Sequence, residues 1–485
     1  MTQSRTLKVL TLASGRGLTT VVNLVAAMVL ARLFTKTEYA TYRQTFLVYR
    51  FSAPLLMLGL PMALYYFLTE ESNKPRQILM ENVLMLFMGG SLLALFLLLG
   101  GADYIAYRFS NPSLRHTLKL IAPYAIIVLP ATAFGPTLIS RNRVNVAAIY
   151  NFVSRAFTLG TVLISVFFLR KVMVAVGAMV GASILTSVIA LFLMFHTCNK
   201  GPWHPTISGM KRQLSYSFPV GLSQIIGTMS RDIDKIIVSS LCAPSVFAGY
   251  INGAMEIPFI GILTGSVTSV LVVDYTKLYR EGKVDEIVRL IHQAMFKTGM
   301  VLIPLMFFLF LIAPEIMVVL FGSKYAISAQ FFRVYLLLLP VRTLTFGAIL
   351  RATGRTWAIL GQPLLTLPAN AIFSWIGVKY YGPLAAAIVT VVTTYCLAVP
   401  YLIFWIQKVL KISVGKLFPW QRLFYLLLCC MLASLLTLVG LHLWHPEDSI
   451  ILLLWCGLLF WLPLLLIYAK LGWVDFHKIT FFSAV

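Results

Sequence analysis

From Val9 to Tyr468 the chain alternates long apolar runs with short polar connectors. A membrane-spanning helix needs about 20 mostly apolar residues. Stretches at 9–33, 45–68, 80–100, 118–139, 146–169, 173–196, 215–240, 246–273, 291–313, 330–350, 356–378, 383–407, 422–444 and 449–468 meet that length, so the pattern predicts fourteen transmembrane helices. Their apolar positions are continuous. Barrel strands would instead alternate apolar and polar residues over about ten positions, so the expected class is an all-α polytopic membrane protein. The start MTQSRTLK leads into a long span holding Arg16, without the short apolar core and small-residue cleavage site of a secretory signal. The first span is therefore expected to remain in the mature protein.

The composition points the same way: 59% of the 485 residues are hydrophobic and 11% charged, outside the range of soluble domains. Cys198, Cys242, Cys396, Cys429, Cys430 and Cys456 are scattered without CxxC or metal-ligand spacing and are expected as free thiols. His442 and His445 can share a helix face, but without a carboxylate or cysteine partner they make a weak site. A formal charge of +23 would suit a nucleic-acid binder if the bases formed a stripe with interleaved aromatics. They are spread over short loops, where anionic membrane lipids account for most of them and no nucleic-acid partner is expected. Sorting the loops into alternating sets leaves one set richer in Lys and Arg by roughly two to one, which places both termini in the cytoplasm.

Two halves of the chain resemble each other. GLTTVVNLVAAMVLARLFTKTEYATYRQTFLVYR from Gly17 matches GLSQIIGTMSRDIDKIIVSSLCAPSVFAGYINGAMEIPF from Gly221, each with an aromatic-Ala-x-Tyr turn at Tyr39–Tyr42 and Phe247–Tyr250. The connection LISRNRVNVAAI matches LRATGRTWAIL, aligning Arg143 with Arg355. Six spans thus repeat as six in the same orientation, a common plan in transporters. The expected units are a six-helix lobe over 1–200, a second over 201–410 and two added helices over 411–485. The lobes are joined by the polar linker HTCNKGPWHPTISGMKRQ.

Charges inside spans stand out, because one at the bilayer centre costs roughly 2.5–3.5 kcal/mol even on a lenient scale. Of sixteen acidic residues, thirteen lie in loops or at span ends; the exceptions are Asp232, Asp234 and Glu256. Spacing pairs Arg231 with Asp234 and Asp232 with Lys235 at i to i+3. Depth counted from the turn near Ala243 brings Arg231 to Glu256. The group is either a neutral clamp between helices or a cavity element for substrate or ion coupling. In the first half Arg16, Arg50 and Arg155 share their spans with no acid, which implies an anion or a hydrated cavity; Arg binds phosphate bidentately and stays charged when desolvated. Arg16 and Arg50 lie near enough to span ends to snorkel instead. Arg342, after Pro340, is a weaker second-half counterpart. Asn23, Asn151 and Asn370 either bond neighbouring helices or contact a sugar.

A GxxxxGK[ST] nucleotide loop is absent, as are HExxH, GxSxG and any filter-like Gly-rich loop. Neither ATP hydrolysis, other membrane enzymology nor a channel is expected.

The ordered set LARLFTKTEYATY, GLPMALYYFL, SRNR, ATGR, DIDKIIVSS, FAGYINGAMEI and YREGKVDEIVRL resembles the polysaccharide and O-antigen flippases of the multidrug/oligosaccharidyl-lipid/polysaccharide exporter superfamily, over roughly residues 10–410. The resemblance implies a bacterial inner-membrane transporter of two six-helix lobes around a central cavity, working by alternating access. Its cargo would be an undecaprenyl-diphosphate-linked oligosaccharide and its drive an ion gradient, H+ or Na+, or the membrane potential, with no other cofactor. Glycan polymerase and glycosyltransferases would be its partners. Arg16, Arg50 and Arg155 would neutralise the diphosphate, and Asp232, Asp234 and Glu256 would be candidates for coupling. A peptidoglycan-precursor flippase, a cation-coupled drug exporter and a scaffold of a glycan-assembly complex remain open.

Overall fold

The computed structural model describes residues 5–473 except 71, 72, 258, 445 and 447, with side chains described from residue 17 onward except that of Ile262. His445 and the side chain of Arg16 therefore lie outside the described residues. Among the described residues the chain is helical throughout and contains no strand.

Each of the fourteen apolar stretches lies mostly on helix, several with a break inside them, such as those after Met57, Gly253 and Leu336. Among the described residues ten helices are long and apolar enough to cross a membrane, and Lys36–Met57 with Leu60–Glu70, bent by 42°, makes an eleventh if taken as one broken span. The expected count of fourteen is not reproduced by that criterion. For the first helix, Arg5–Leu33, it reaches only the described part Gly17–Leu33; composition accounts for two others. Ile207–Leu241 carries Lys211, Arg212, Arg231, Asp232, Asp234 and Lys235. Ile260–Arg280 is rich in Ser and Thr, whose hydroxyls are satisfied within the helix; Thr264, Thr268 and Ser269 each bond the carbonyl four residues back. Large side chains such as Phe167, Phe168, Leu99 and Leu454 stand exposed in numbers no water-facing surface tolerates. The chain is a multi-pass membrane protein.

Chain contacts define two units, Met1–Ala248 and Gly249–Val485. The division falls after the Ile207–Leu241 helix, which packs on Lys36–Met57 and Leu60–Glu70 inside the first unit, although the repeat assigns it to the second half. Contact and repeat answer different questions, so the lobe limits of 200 and 410 remain a reading of the repeat.

The repeat is visible in local geometry. Val144–Leu169 and Thr356–Tyr381 are both 26 residues long and start at Arg143 and Arg355. Each is preceded by a left-handed residue, Asn142 at φ 58° and Gly354 at φ 73°. The SRNR and ATGR turns thus make one structural device.

Within the first unit, Lys36–Met57 holds Pro54 and ends at Leu58, which adopts a left-handed conformation, as does Gly59. The break lets two backbones touch: a Cβ on Gly59 would lie 2.7 Å from the Gly221 nitrogen. Only glycine at both positions permits that approach. Leu64, Leu79, Leu86, Phe134 and Met194 form the core beneath.

In the second unit, Trp420–Leu443 and Ser449–Lys470 pack on each other, the first also on Val284–Leu311 and the second on Ala313–Phe321, with Tyr468 donating to the Met300 carbonyl. Their seam is Phe296, Met300, Leu426, Cys430, Phe460 and Tyr468, which makes the last two helices a packed layer on this unit.

Candidate functional site

Among the described residues, the charges marked by the sequence fall into three clusters, two on apolar helices and one at helix breaks. The first joins Lys36–Met57 to Ile207–Leu241. Arg50 Nη2 meets Asp232 Oδ1 at 2.7 Å, and Lys235 Nζ meets the same oxygen at 3.0 Å and Asp234 Oδ1 at 3.8 Å. Asp232 and Asp234 are 6% and 1% exposed, whereas more than half of the Arg50 side chain is accessible. Two bases on two acids leave the cluster formally neutral. A second tie, Gln44 Nε2 donating to Ser239 Oγ at 2.8 Å, lies further along the same helix pair.

Two expectations are corrected here. Arg50 is not unpaired; its acid lies 182 residues downstream, on a helix that inspection of its own span cannot reveal. Arg231 does not pair with Asp234 or Glu256: its Nη2 donates to Thr228 Oγ1 at 3.2 Å, and its side chain is exposed. The Asp232–Lys235 contact follows the i to i+3 spacing.

The second cluster centres on Arg155, half-buried in Val144–Leu169 where that helix packs along Arg5–Leu33. Arg155 Nε donates to Asn23 Oδ1 at 2.7 Å. Among the described residues no carboxylate pairs with it and no group hydrogen-bonds its terminal nitrogens. The guanidinium is in electrostatic reach of the buried Tyr42 and Tyr124 hydroxyls. Tyr124 in turn meets Tyr49 edge-on at 4.7 Å and Phe46 at 6.0 Å. Asn151, one turn before Arg155, is exposed. A cation oriented by a neutral amide keeps its full charge, and an aromatic wall removes competing water; the arrangement suits a guest phosphate or other anion.

The third cluster lies in the second unit. The chain leaves helix between Gly253 and Ile260, and again in the 3-10 turn Pro340–Thr343 between Ser328–Leu336 and Phe346–Ala352. Glu256 from the first break pairs with Arg342 Nη2 from the second, and both side chains are exposed. The depth count toward Arg231 assumed an unbroken helix through residue 256, and the break removes that basis. Asn370 is a plain interhelical bonder: it donates to Thr390 Oγ1 at 3.3 Å and accepts from Ser374 at 2.7 Å.

Sequence reasoning missed Glu81. It was counted among the span-end acids but is 2% exposed inside Pro75–Phe96. Its Oε1 accepts from the Thr206 amide at 3.0 Å and hydroxyl at 2.6 Å, and Oε2 accepts from Gln213 Nε2 at 3.1 Å. Glu81 thus supplies a carboxylate to the amino end of Ile207–Leu241, where the helix dipole stabilises it. Nearby, Arg76 bonds the carbonyls of Asn199 and Gly201 and lies 4.6 Å over Trp203, fastening the linker. The available signal was the Thr206 N-cap; nothing local named its partner. No group of three or more metal-ligating side chains is found among the described residues.

The model of a family described as "Polysaccharide biosynthesis protein" matches residues 6–272. A comparison with curated proteins gives no match. Among solved structures the fold is similar to that of the lipid II flippase MurJ in an inward closed conformation, with TM-score 0.73 and 17% identity over 94% of this chain and 98% of that one. An inward-facing multidrug resistance MATE family transporter of the MOP superfamily gives TM-score 0.69 at 15% identity, covering 84% and 99%. A MOP superfamily transporter from Pyrococcus furiosus gives 0.59 at 14%, covering 84% and 96%. At these identities the likeness is one of fold.

Proposed function

This chain belongs to the polysaccharide biosynthesis protein family, and we propose that it is a flippase carrying an undecaprenyl-diphosphate-linked oligosaccharide from the cytoplasmic to the periplasmic leaflet of a bacterial inner membrane. Arg155 carries this reading: it is an intramembrane cation that, among the described residues, bonds a neutral amide and no carboxylate. A diphosphate entering a low-dielectric core must be neutralised, and an uncompensated arginine must find an anion. Each solves the other's problem. Asn151 and Asn23 offer amide groups for hydroxyls of the sugar, and Arg16 and Arg342 are further proposed anion contacts, each within its own unit.

Coupling is assigned to the Arg50–Asp232–Lys235 cluster. A proton or Na+ arriving at Asp232 competes with Arg50 for the same carboxylate, which would release the tie between two helices. Glu256 with Arg342 is the corresponding switch in the second unit. Glycan polymerase and glycosyltransferases are its proposed partners in assembly.

A second reading, flipping of the peptidoglycan precursor lipid II, is favoured by the extent of the fold likeness to MurJ. Both cargoes are polyprenyl diphosphates, so the Arg155 argument serves both. A drug exporter for cations fits less well, because Arg155 repels such a cargo.

The test reconstitutes the full chain in vesicles and follows inversion of a labelled undecaprenyl-diphosphate oligosaccharide and, separately, of lipid II, with and without imposed pH and Na+ gradients. The proposal expects gradient-dependent inversion of the oligosaccharide lipid. Preference for lipid II replaces it with the second reading, and rates equal to protein-free vesicles for both refute transport.

A further inference from the structure

A cationic cleft of about 330 Å3 opens in the second unit where Val284–Leu311 meets the start of Trp420–Leu443. Arg289, His292 and Gln293 line it from one face of the first helix, at the i, i+3 and i+4 positions that side chains share. Trp420, Gln421 and Arg422 line it from the first turn of the second. We propose that this cleft binds the phosphodiester headgroup of an anionic phospholipid, with an acyl chain lying along the Trp420–Leu443 helix.

Two arginines face the cleft and neither is fully committed. Arg289 meets Glu286 only at 3.7 Å, with both side chains well exposed. Arg422 lies over the Phe296 ring at 5.6 Å, a contact that orients the guanidinium without neutralising it. His292 Nε2 donates to the Lys416 carbonyl at 2.9 Å, which fixes the ring at the edge of the cleft. The first turn of a helix also has backbone N–H groups without intrahelical acceptors, which favours a phosphate there. Guanidinium forks, side-chain amides and a helix start together make phosphate chemistry.

The choice of a lipid over a free anion follows from what continues below. Trp420 belongs both to the cleft and to an exposed apolar stripe, Trp420, Phe424, Leu428, Met431 and Leu435, spaced to share one helix face. Trp at the head of such a stripe marks the headgroup level of a bilayer. A phosphate in the cleft would carry its acyl chains onto that stripe, whereas inorganic phosphate gains nothing from it.

The experiment is a titration of the purified full-length protein with phosphatidylglycerol, phosphatidylcholine or inorganic phosphate, read by native mass spectrometry. Phosphatidylglycerol is expected to bind in preference to phosphatidylcholine, and inorganic phosphate is expected not to displace it. Replacing both Arg289→Gln and Arg422→Gln should weaken phosphatidylglycerol by roughly 10- to 30-fold. Lys408→Gln with Lys411→Gln, an equal charge loss outside the cleft, should leave it unchanged. Gln293→Trp, which fills the cleft without altering its charge, should lower binding as well and serves if the arginine variant does not fold. Equal loss in the lysine variant would mean diffuse attraction and overturn the proposal. Full binding in Gln293→Trp, equal binding of both lipids, or displacement by inorganic phosphate would each overturn it too.

Discussion

Arg50 and Arg155 start from the same local setting, an apolar span without an acid, and end in opposite electrostatic states. Arg50 reaches across to Asp232, which Lys235 also holds, and the cluster is balanced. Arg155 reaches Asn23, whose amide directs the guanidinium but offers no charge. Under the proposed function, the balanced cluster serves as the gate between two helices and the cation beside Tyr42 and Tyr124 as the binding group. Both residues read alike in the sequence.

The sharpest way to break the contrast is to give Arg155 the partner that Arg50 has. Asn23→Asp should abolish inversion of a polyprenyl-diphosphate sugar, by about 100-fold or more if the guanidinium is taken out of service, while thermal stability stays equal or rises. Unchanged transport with the new carboxylate in place would erase the distinction between the two arginines.

Next in size is the opposite change at the other cluster. Asp232→Asn leaves Arg50 and Lys235 without their shared carboxylate and should destabilise the protein by about 1–3 kcal/mol, below the usual penalty for a broken buried pair because Arg50 is half-exposed. Adding Arg50→Gln should recover part of the loss in a thermal denaturation series. Loss of gradient response in Asp232→Asn would support its coupling role.

The smallest effect is expected in the second unit. Arg342→Gln removes an exposed pair with Glu256 and should change stability by less than about 1 kcal/mol. A larger loss in melting temperature would mean that the pair fastens the two helix breaks and is structural.

What was legible in the chain follows the range of the signal. Apolar runs mark helices locally, and each of the fourteen stretches lies mostly on helix, although the breaks inside them were not legible. The match of SRNR to ATGR predicted equivalent turns, and Asn142 and Gly354 share the left-handed backbone that starts their helices. The i to i+3 contact of Asp232 with Lys235 was also local. Partners set by packing were not: Asp232 for Arg50, Arg342 for Glu256, and Thr206 and Gln213 for Glu81 lie on other helices. The break after Gly253 further defeated a depth count that assumed continuity. Asn23 was marked as a candidate, but its role as the orienting group for Arg155 needed the packing of two helices.

The central claim is that the Arg155 charge is held in reserve for the anionic headgroup of the cargo. Inversion of a labelled undecaprenyl-diphosphate sugar in vesicles, compared for wild type, Arg155→Lys and Arg155→Gln at matched protein levels, tests it most directly. The account predicts partial activity with lysine and loss to the protein-free rate with glutamine; wild-type inversion by a folded Arg155→Gln protein would contradict it.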